Sequence, residues 1–179
     1  MKYYKYLDLD WKPARDKILE ILKTYPNSFF DRSNNSGAFR QANTDLFRIP
    51  EIHEMFRPLG ISIQFISLYV TFSKIGVIHK DDVPGYISRI IFPILNCEES
   101  ETKFYTVSEE PIKLEQPNGL GYNYYDPIHC KHVDSYFLTQ PAVFHVREAH
   151  QVCIYRDLEL PRISCTVQFH QDINYLVDE

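Results

Sequence analysis

The chain has 179 residues and a formal net charge of −5, and this length can bury a hydrophobic core without disulfides or structural metals. Its hydrophobic fraction of 44% and charged fraction of 24% are typical of a soluble globular protein, while its aromatic fraction of 15% is high and favours β-strands. The net negative charge argues against nucleic acid as a partner, because sequence-independent binding to phosphates needs a basic face.

The amino-terminal segment "MKYYKYLDLDW" lacks the apolar stretch of a signal peptide, and no window approaches the length of a membrane span. The four cysteines include no C-x-x-C pair; they are Cys97, Cys130, Cys153 and Cys165. We therefore expect a cytoplasmic protein of one domain over residues 1–179, without membrane contact, whose cysteines are buried free thiols. The sequence does not indicate an oligomeric state.

Helical patterns are confined to the first third of the chain. The segment "DWKPARDKILEILKTYP" predicts a helix that is capped by Asp10 and ends before Pro26. Its apolar face is formed by Ile18, Ile21 and Leu22. A second, short helix is predicted in "PEIHEMFRPLG", residues 50–60.

From Ile61 onward the sequence changes to short β-branched and aromatic runs separated by turn residues. The predicted strands are "ISIQFISLYVTF", "YISRIIFPILN", "TKFYTV", "DSYFLT", "AVFHVRE", "HQVCIYR" and "RISCTVQFH". Helices followed by strands predict a mainly β protein, either a β-sandwich or a cupin-like jelly-roll barrel. Residues 61–170 would form its core, and the N-terminal helices of residues 1–60 would support one face.

One segment, "EQPNGLGYNYYDP" at residues 115–127, is rich in Gly, Asn, Pro and Tyr and is predicted to be a long loop. Its tyrosines are Tyr122, Tyr124 and Tyr125. They would either line a substrate entrance at the mouth of a barrel or pack as an ordinary loop, and the sequence favours neither interpretation.

The segment "SKIGVIHKDDVPGYISRIIFPILN", residues 73–96, places charged residues beside buried strands, which is costly unless they are paired or bind a metal. In a strand, residues two apart share a face, so His79 and Asp81 can converge while Lys80 and Asp82 point away. Asp82 would replace Asp81 if a bulge shifted the register. Two imidazoles and one carboxylate are the ligands of non-haem Fe(II), so a second histidine must come from a later strand.

The later histidines are His129, His132, His145, His150 and His170. We select His150 because Arg162 and Ser164 follow it on one strand face, where a guanidinium and a hydroxyl can bind a carboxylate. The "HCKH" segment has the wrong spacing for a structural zinc site. We interpret His170, and His53 on the second helix, as core or surface residues.

The ordered set of His79-x-Asp81, then His150, then Arg162-x-Ser164 resembles the H-x-D…H…R-x-S signature of the Fe(II)- and 2-oxoglutarate-dependent oxygenases. The resemblance implies a double-stranded β-helix, which is a jelly roll. It also implies that His79, Asp81 and His150 bind iron, and that Arg162, helped by Ser164, binds the distal carboxylate of 2-oxoglutarate.

Arg89, ten positions after His79, resembles an arginine of the aspartyl and asparaginyl hydroxylase branches of the family. That resemblance implies a role in binding the co-substrate or the substrate, and the alternative is an ordinary ion-pairing arginine. In "FHVREAH", His145 stands where the family often has asparagine or a similar polar residue, so His145 is the alternative distal histidine.

The implied activity is hydroxylation of an unactivated C–H bond in a small-molecule or peptidyl substrate, with release of succinate and CO2. Its cofactors would be Fe(II), 2-oxoglutarate and O2, and no catalytic residue beyond the metal ligands is required. Two other hypotheses remain open. One is a cupin-like metalloenzyme that does not use 2-oxoglutarate, and the other is a metal-free jelly-roll binding module.

Overall fold

The computed structural model describes residues 2–24, 39–41, 46–71, 73–81, 88–115, 121–156 and 161–178. The α-helices are α1 (Lys12–Thr24), α2 (Pro50–Phe56) and α3 (Tyr175–Asp178). Short 3₁₀ helices lie at Leu46–Arg48, Arg57–Leu59 and Pro127–His129. The strands are β1 (Tyr4–Tyr6), β2 (Phe39–Gln41), β3 (Ile63–Thr71), β4 (His79–Asp81), β5 (Ser88–Leu95), β6 (Ser100–Val107), β7 (Ile112–Glu115), β8 (Gly121–Tyr124), β9 (Cys130–Phe137), β10 (Ala142–His145), β11 (Ala149–Ile154) and β12 (Arg162–Phe169).

The strands form two six-stranded antiparallel sheets. The first sheet has the order β1-β10-β5-β12-β3-β2, and the second has the order β7-β8-β4-β11-β6-β9. Consecutive strands such as β4 and β5, or β10 and β11, lie in different sheets. The chain therefore passes repeatedly from one sheet to the other, as in a jelly roll.

The helices cover one face of the first sheet with aliphatic contacts. Buried residues recur every four positions along α1, at Ala14, Ile18 and Leu22. These residues share one hydrophobic core with alternate residues of β12, namely Ile163, Cys165 and Val167. The amphipathic face of α1 therefore supports the outer face of the first sheet, as the sequence predicts.

The opposite face of the first sheet points toward the second sheet and carries polar side chains on β12. On β12, Arg162, Ser164 and Thr166 alternate with the aliphatic residues, and none is more than 4% exposed. Arg162 Nε donates a hydrogen bond of 3.0 Å to Ser100 Oγ on β6 of the second sheet. Since buried polar groups are costly without partners, this inter-sheet space is a candidate ligand-binding interior.

The structure confirms the predicted order of helices and strands and corrects several details. Residues 115–127 were expected to form a loop, but residues 121–124 form β8, which pairs with both β4 and β7. Pairing on both edges overrides the weak strand propensity of Gly and Asn. Residues 116–120 lie outside the described ranges.

Two further corrections concern the ends of the chain. Residues 1–60, predicted as helical support, also contribute β1 and β2, which form the two edges of the first sheet. Near the carboxyl end, α3 is a helix outside the first third of the chain. Elements of three or four residues are too short to produce a periodic sequence pattern. Within the described ranges, no helix has the length and apolarity needed to cross a membrane.

The prediction that the cysteines are free thiols is confirmed, and the prediction that they are buried is confirmed for three of the four. All four cysteines are free thiols, and three of them are buried, at positions 97, 153 and 165, while Cys130 is half-buried. Burial raises the pKa of Cys97, Cys153 and Cys165, so these thiols are protonated at neutral pH.

Candidate metal centre

Three potential metal ligands converge in the inter-sheet space where β4 pairs with β11. His79 and His150 are direct cross-strand partners, and their ring centroids are 4.4 Å apart. Asp81 shares their face, with its Oδ1 atom 3.4 Å from His79 Nε2. One ligand atom from each of the three residues lies within 4.8 Å of the others. The structure thus brings together the three residues that the sequence predicts as metal ligands.

The apolar neighbours of the histidines set the direction in which they point. Ile78 and Ala149 precede His79 and His150 in the chain and are buried in one cluster with Tyr125. Because successive strand residues point to opposite faces, burying Ile78 and Ala149 on the outer face turns both imidazoles inward.

Backbone carbonyls determine which ring nitrogen of each histidine can bind a metal. His79 Nδ1 lies 3.0 Å from the carbonyl oxygen of Val77, and His150 Nδ1 lies 2.8 Å from that of Glu148. A carbonyl oxygen only accepts hydrogen bonds, so each Nδ1 atom carries a proton and donates it. Each Nε2 atom therefore presents a lone pair, as metal-bound histidines require.

The charges of the three residues also fit metal ligands. Burial and the neighbouring His79 lower the pKa of His150 to about 4, so this ring is neutral at pH 7. Burial opposes ionisation of Asp81, but the hydrogen bond with His79 and nearby positive charges outweigh it and lower the pKa of Asp81. Burial also opposes protonation of His79, yet its interactions with Asp81 raise the pKa of His79 above its ordinary value. A cation in this site would therefore meet an ionised carboxylate, and it would have to displace any proton on His79 Nε2, the atom that faces Asp81.

Arg89 lies beside the candidate ligand Asp81, on β5 of the first sheet. It is 7% exposed, and its Nη1 atom is 3.8 Å from Asp81 Oδ2. Its side chain is hydrogen-bonded to the Tyr69 hydroxyl, and burial raises the pKa of Tyr69. Arg89 Nε has no hydrogen-bond partner in the described part of the chain. Arg89 is therefore a buried cation next to the Asp81 carboxylate and not a surface residue.

Arg162 presents a second buried guanidinium to the inter-sheet space. It is 2% exposed, and its Nη1 atom donates to Ser164 Oγ at 3.0 Å, while its Nε atom donates to Ser100. The remaining nitrogen, Nη2, has no hydrogen-bond partner among the described residues. A buried guanidinium held by two hydroxyls, with one free donor edge, is suited to binding an anion.

Two buried hydroxyls near Arg162 were missed at the sequence level. Tyr136 OH and Thr166 Oγ1 are buried, and neither makes a hydrogen bond of ordinary geometry among the described residues, although the Thr102 side chain is close enough to the Tyr136 hydroxyl to affect its pKa. Thr166 follows Ser164 on the same face of β12, and Tyr136 lies close enough for the charge of Arg162 to affect its pKa, although burial, which raises it, dominates. Tyr136 reaches this space through the pairing of β9 with β6, which no sequence spacing indicates, whereas Thr166 continues the alternation of Arg162 and Ser164 and could have been found from that spacing.

Aromatic rings form one wall beside the candidate ligands. The ring of His150 lies 5.8 Å from that of Phe144 and 6.4 Å from that of Phe104, measured between centroids. Phe104 in turn stacks against Tyr3 and Tyr4 from the amino-terminal segment. The aromatic residues of this wall therefore come from β1, β6 and β10.

Tyr124 and Tyr125, for which the sequence left open an entrance role or ordinary loop packing, lie on opposite faces of the second sheet. Tyr124 is the cross-strand partner of His79 and shares its face. Tyr125 is buried on the outer face, in the cluster with Ile78. The side chain of Tyr122 lies outside the described part of the structure, as does Asp82, the alternative ligand.

The other histidines lie away from the candidate centre. His145 is buried on the outer face of the first sheet, 2.7 Å from Ser88 Oγ through its Nδ1 atom. His132 packs edge-on against Tyr105, and His129 Nε2 is 3.3 Å from Glu109 Oε2. The remaining two, His53 and His170, are exposed. Within the described ranges, no other group of potential ligands converges.

No protein-family model matches the chain, and no curated protein matches it. Similar solved structures include the non-haem alpha-ketoglutarate-dependent epimerase SnoN from nogalamycin biosynthesis, with a TM-score of 0.53, 12% identity, and coverage of 93% of this chain and 75% of that chain. SnoN in complex with Fe3+, alpha-ketoglutarate and nogalamycin RO has a TM-score of 0.50 and 12% identity over 99% of this chain and 85% of that chain. The non-haem monooxygenase ThoJ, in its apo form, has a TM-score of 0.50 and 14% identity over 93% of this chain and 73% of that chain. At these identities the likeness concerns the fold, and it confirms the predicted jelly-roll class.

Proposed function

We propose that this protein is a non-haem Fe(II)- and 2-oxoglutarate-dependent oxygenase that hydroxylates an unactivated C–H bond of a small-molecule or peptidyl substrate. The observation that carries the proposal is the pairing of two features in one inter-sheet space. One is the cluster of His79, Asp81 and His150, and the other is Arg162, buried with an unpartnered donor. Two imidazoles and a carboxylate also bind Zn2+ in hydrolases, but such sites have no need of a buried arginine for an oxoacid.

In this proposal the chain's own residues bind, orient and shield. His79 and His150 would hold Fe(II) through their Nε2 atoms, and Asp81 through Oδ1, the oxygen nearer to His79. With 2-oxoglutarate and O2, the iron supplies the oxidation, in which the oxoacid is converted to succinate and CO2. The aromatic wall beside His150 would exclude water from that side of the reacting groups.

Arg162 would bind the distal carboxylate of 2-oxoglutarate through its free Nη2 edge. Ser100 and Ser164 occupy its other nitrogens and so hold the guanidinium in one orientation. Tyr136 and Thr166 have hydroxyl groups that make no hydrogen bond of ordinary geometry among the described residues, and both can donate to the same carboxylate.

Arg89 would bind an anionic group of the co-substrate or the substrate near the metal. Among the described inter-sheet residues, Arg89 and Arg162 carry positive charge and Asp81 carries negative charge. A divalent metal and a dianionic oxoacid cancel each other, so one positive charge remains in a buried space. This surplus favours a substrate with a carboxylate or another anionic group.

The test of the proposal is an anaerobic titration of the protein with Fe(II) and then with 2-oxoglutarate, followed by visible absorption. We expect the metal-to-ligand charge-transfer band of an oxoacid chelated to Fe(II). Binding of Fe(II) without the band would favour a cupin-like metalloenzyme that does not use the oxoacid. Absence of both would favour a metal-free binding module.

Replacing Tyr136 with phenylalanine is expected to weaken 2-oxoglutarate binding about tenfold, because one hydrogen bond to a charged group is lost. The stability of the protein should change little, since the hydroxyl makes no hydrogen bond of ordinary geometry in the absence of the oxoacid, only a weak interaction with the Thr102 side chain. The measurement is the midpoint of the charge-transfer titration, together with thermal unfolding. Tyr6→Phe is the matched control, because the Tyr6 hydroxyl donates to the Phe137 carbonyl oxygen instead. Equal affinities for wild type and Tyr136→Phe would remove Tyr136 from the oxoacid site.

A further inference from the structure

A buried polar cluster on the outer face of the first sheet has no part in the proposed chemistry. Ser88 Oγ lies 2.7 Å from His145 Nδ1 and 2.6 Å from Asn174 Oδ1. Ser88 is 1% exposed and His145 is 6% exposed. We call Ser88, His145 and Asn174 the Ser88 cluster. It joins β5, β10 and the residue that precedes α3.

The partners of Asn174 determine the direction of every hydrogen bond in the Ser88 cluster. Asn174 Nδ2 lies 3.1 Å from Asp172 Oδ2, and a carboxylate oxygen only accepts, so the amide nitrogen faces Asp172. The amide oxygen therefore faces Ser88, whose single hydroxyl proton is donated to it. His145 must then donate its Nδ1 proton to Ser88 Oγ, which leaves no unsatisfied group on Ser88.

The Ser88 cluster stands at the start of the turn that holds two of the candidate ligands. We call residues 146–148, which link β10 to β11, the crossing turn. The carbonyl oxygen of Val146 accepts the backbone N–H of Asp81 at 3.0 Å. The carbonyl oxygen of Glu148 accepts the Nδ1 proton of His150 at 2.8 Å. Both ligands are therefore oriented by a turn that begins at His145.

The Ser88 cluster also adjoins the first-sheet residues that face the centre. Ser88 and His145 are direct cross-strand partners, and the next pair in the same register is Arg89 with Phe144. Arg89 lies 3.8 Å from Asp81, and the ring of Phe144 packs edge-on against His150. Because successive residues point to opposite faces, the outer pair fixes the backbone from which the inner pair projects.

We propose that the Ser88 cluster is a positioning device for the metal centre, which fixes the crossing turn and thereby the orientation of Asp81 and His150. The inference rests on the proposed metal site. None of the three side chains touches the ligands' metal-binding atoms, so they are positioning residues. Through them, the segment that precedes α3 is coupled to metal affinity.

The test compares variants of the full chain by anaerobic titration with Co(II), whose visible absorption reports the ligand geometry. Ser88→Ala removes both hydrogen bonds of the cluster and His145→Leu removes one of them, whereas His145→Asn keeps a donor near the Nδ1 position. Asn174→Leu breaks the cluster from its half-buried end, and it decides the test if Ser88→Ala does not fold. The control is Val167→Ala, because Val167 is fully buried on the same outer face but belongs to β12, which pairs with β3 and β5 and not with the strands that the crossing turn links. Thermal unfolding is measured in parallel.

We expect Ser88→Ala, His145→Leu and Asn174→Leu, the disruptive variants, to bind Co(II) about tenfold more weakly than the wild type and to show an altered spectrum. A tenfold loss of affinity is the lower end of what is lost when a residue that hydrogen-bonds to a metal ligand is replaced. His145→Asn should restore both properties, and Val167→Ala should lose stability while keeping wild-type affinity. Unchanged affinity and spectrum in the disruptive variants would overturn the role of the Ser88 cluster and leave the proposed function intact. Failure of the wild type to bind Co(II) would overturn both. Equal loss of affinity in Val167→Ala would show a general effect of stability and also overturn the inference.

Discussion

Replacing His150 with alanine is expected to abolish metal binding, raising the Fe(II) dissociation constant by more than about 100-fold. This loss exceeds the 10–100-fold that removal of an outer partner of a ligand costs, because a ligand itself is removed. His150 is the only candidate ligand that β11 supplies to the cluster of described residues. Its Nδ1 atom donates its proton to the Glu148 carbonyl oxygen, so Nε2 is the ring atom that can bind a metal.

The measurement is Fe(II) or Co(II) affinity under anaerobic conditions, with a matched histidine control. His132→Ala serves this purpose, because His132 is an exposed residue of the same sheet that contacts Tyr105. The control should bind metal as the wild type does. If His150→Ala remained folded and bound Fe(II) normally, the assignment of the triad would be wrong. His145, which lies on the outer face, would not explain such a result.

Replacing Arg162 with alanine is expected to weaken 2-oxoglutarate binding by about 100-fold while metal affinity is retained. Hydrogen bonds to charged groups contribute about 1.5–3 kcal/mol each, and the distal carboxylate would lose its only fixed cation. Arg162→Lys should recover part of this affinity, because lysine keeps the charge but loses the planar fork. The variant should lose affinity for 2-oxoglutarate but not for the metal, because Arg162 hydrogen-bonds to Ser100 and Ser164 and to none of the candidate metal ligands.

Two titrations of each variant check this prediction, one with Co(II) alone and one with 2-oxoglutarate added to the Fe(II) form. Arg15→Ala is the matched control, since Arg15 donates to the Ile94 carbonyl oxygen on the helix-covered side of the first sheet. Removing Arg162 also leaves two buried serine hydroxyls without a donor, so some loss of stability is expected in thermal unfolding. Normal oxoacid affinity in a folded Arg162→Ala protein would contradict the assignment.

The prediction of His79, Asp81 and His150 as metal ligands was based on the spacing of a few chemically distinctive residues. His79 and Asp81 are two positions apart on a strand, so their convergence follows from strand geometry alone. His150 is 71 residues further along and could be selected only through Arg162 and Ser164, which follow it in order. The position of His150 directly opposite His79 on the adjacent strand depends on how the strands pair, and the sequence spacing does not show it.

The burial of Arg89 could not be predicted from the sequence. The sequence allowed two interpretations of Arg89, an ordinary ion-pairing arginine or a residue that binds the co-substrate or the substrate. The sequence pattern around an arginine on a strand is the same in both cases. The structure places it at 7% exposure beside Asp81. Burial of a guanidinium depends on which carboxylate and hydroxyl face it from other strands, and here these are Asp81 and Tyr69.

By itself, the sequence determined the mainly β class, the two leading helices, most strands and the three residues that converge as candidate ligands. These features follow from local periodicity and from residue types whose chemistry is distinctive. Only the tertiary structure decided that β1, β2 and β8 are strands, that Tyr136 lies near Arg162, and that His145 belongs to the outer face. Each of these outcomes depends on contacts between residues far apart in the chain, and such contacts override weak local propensity and leave no periodic signal.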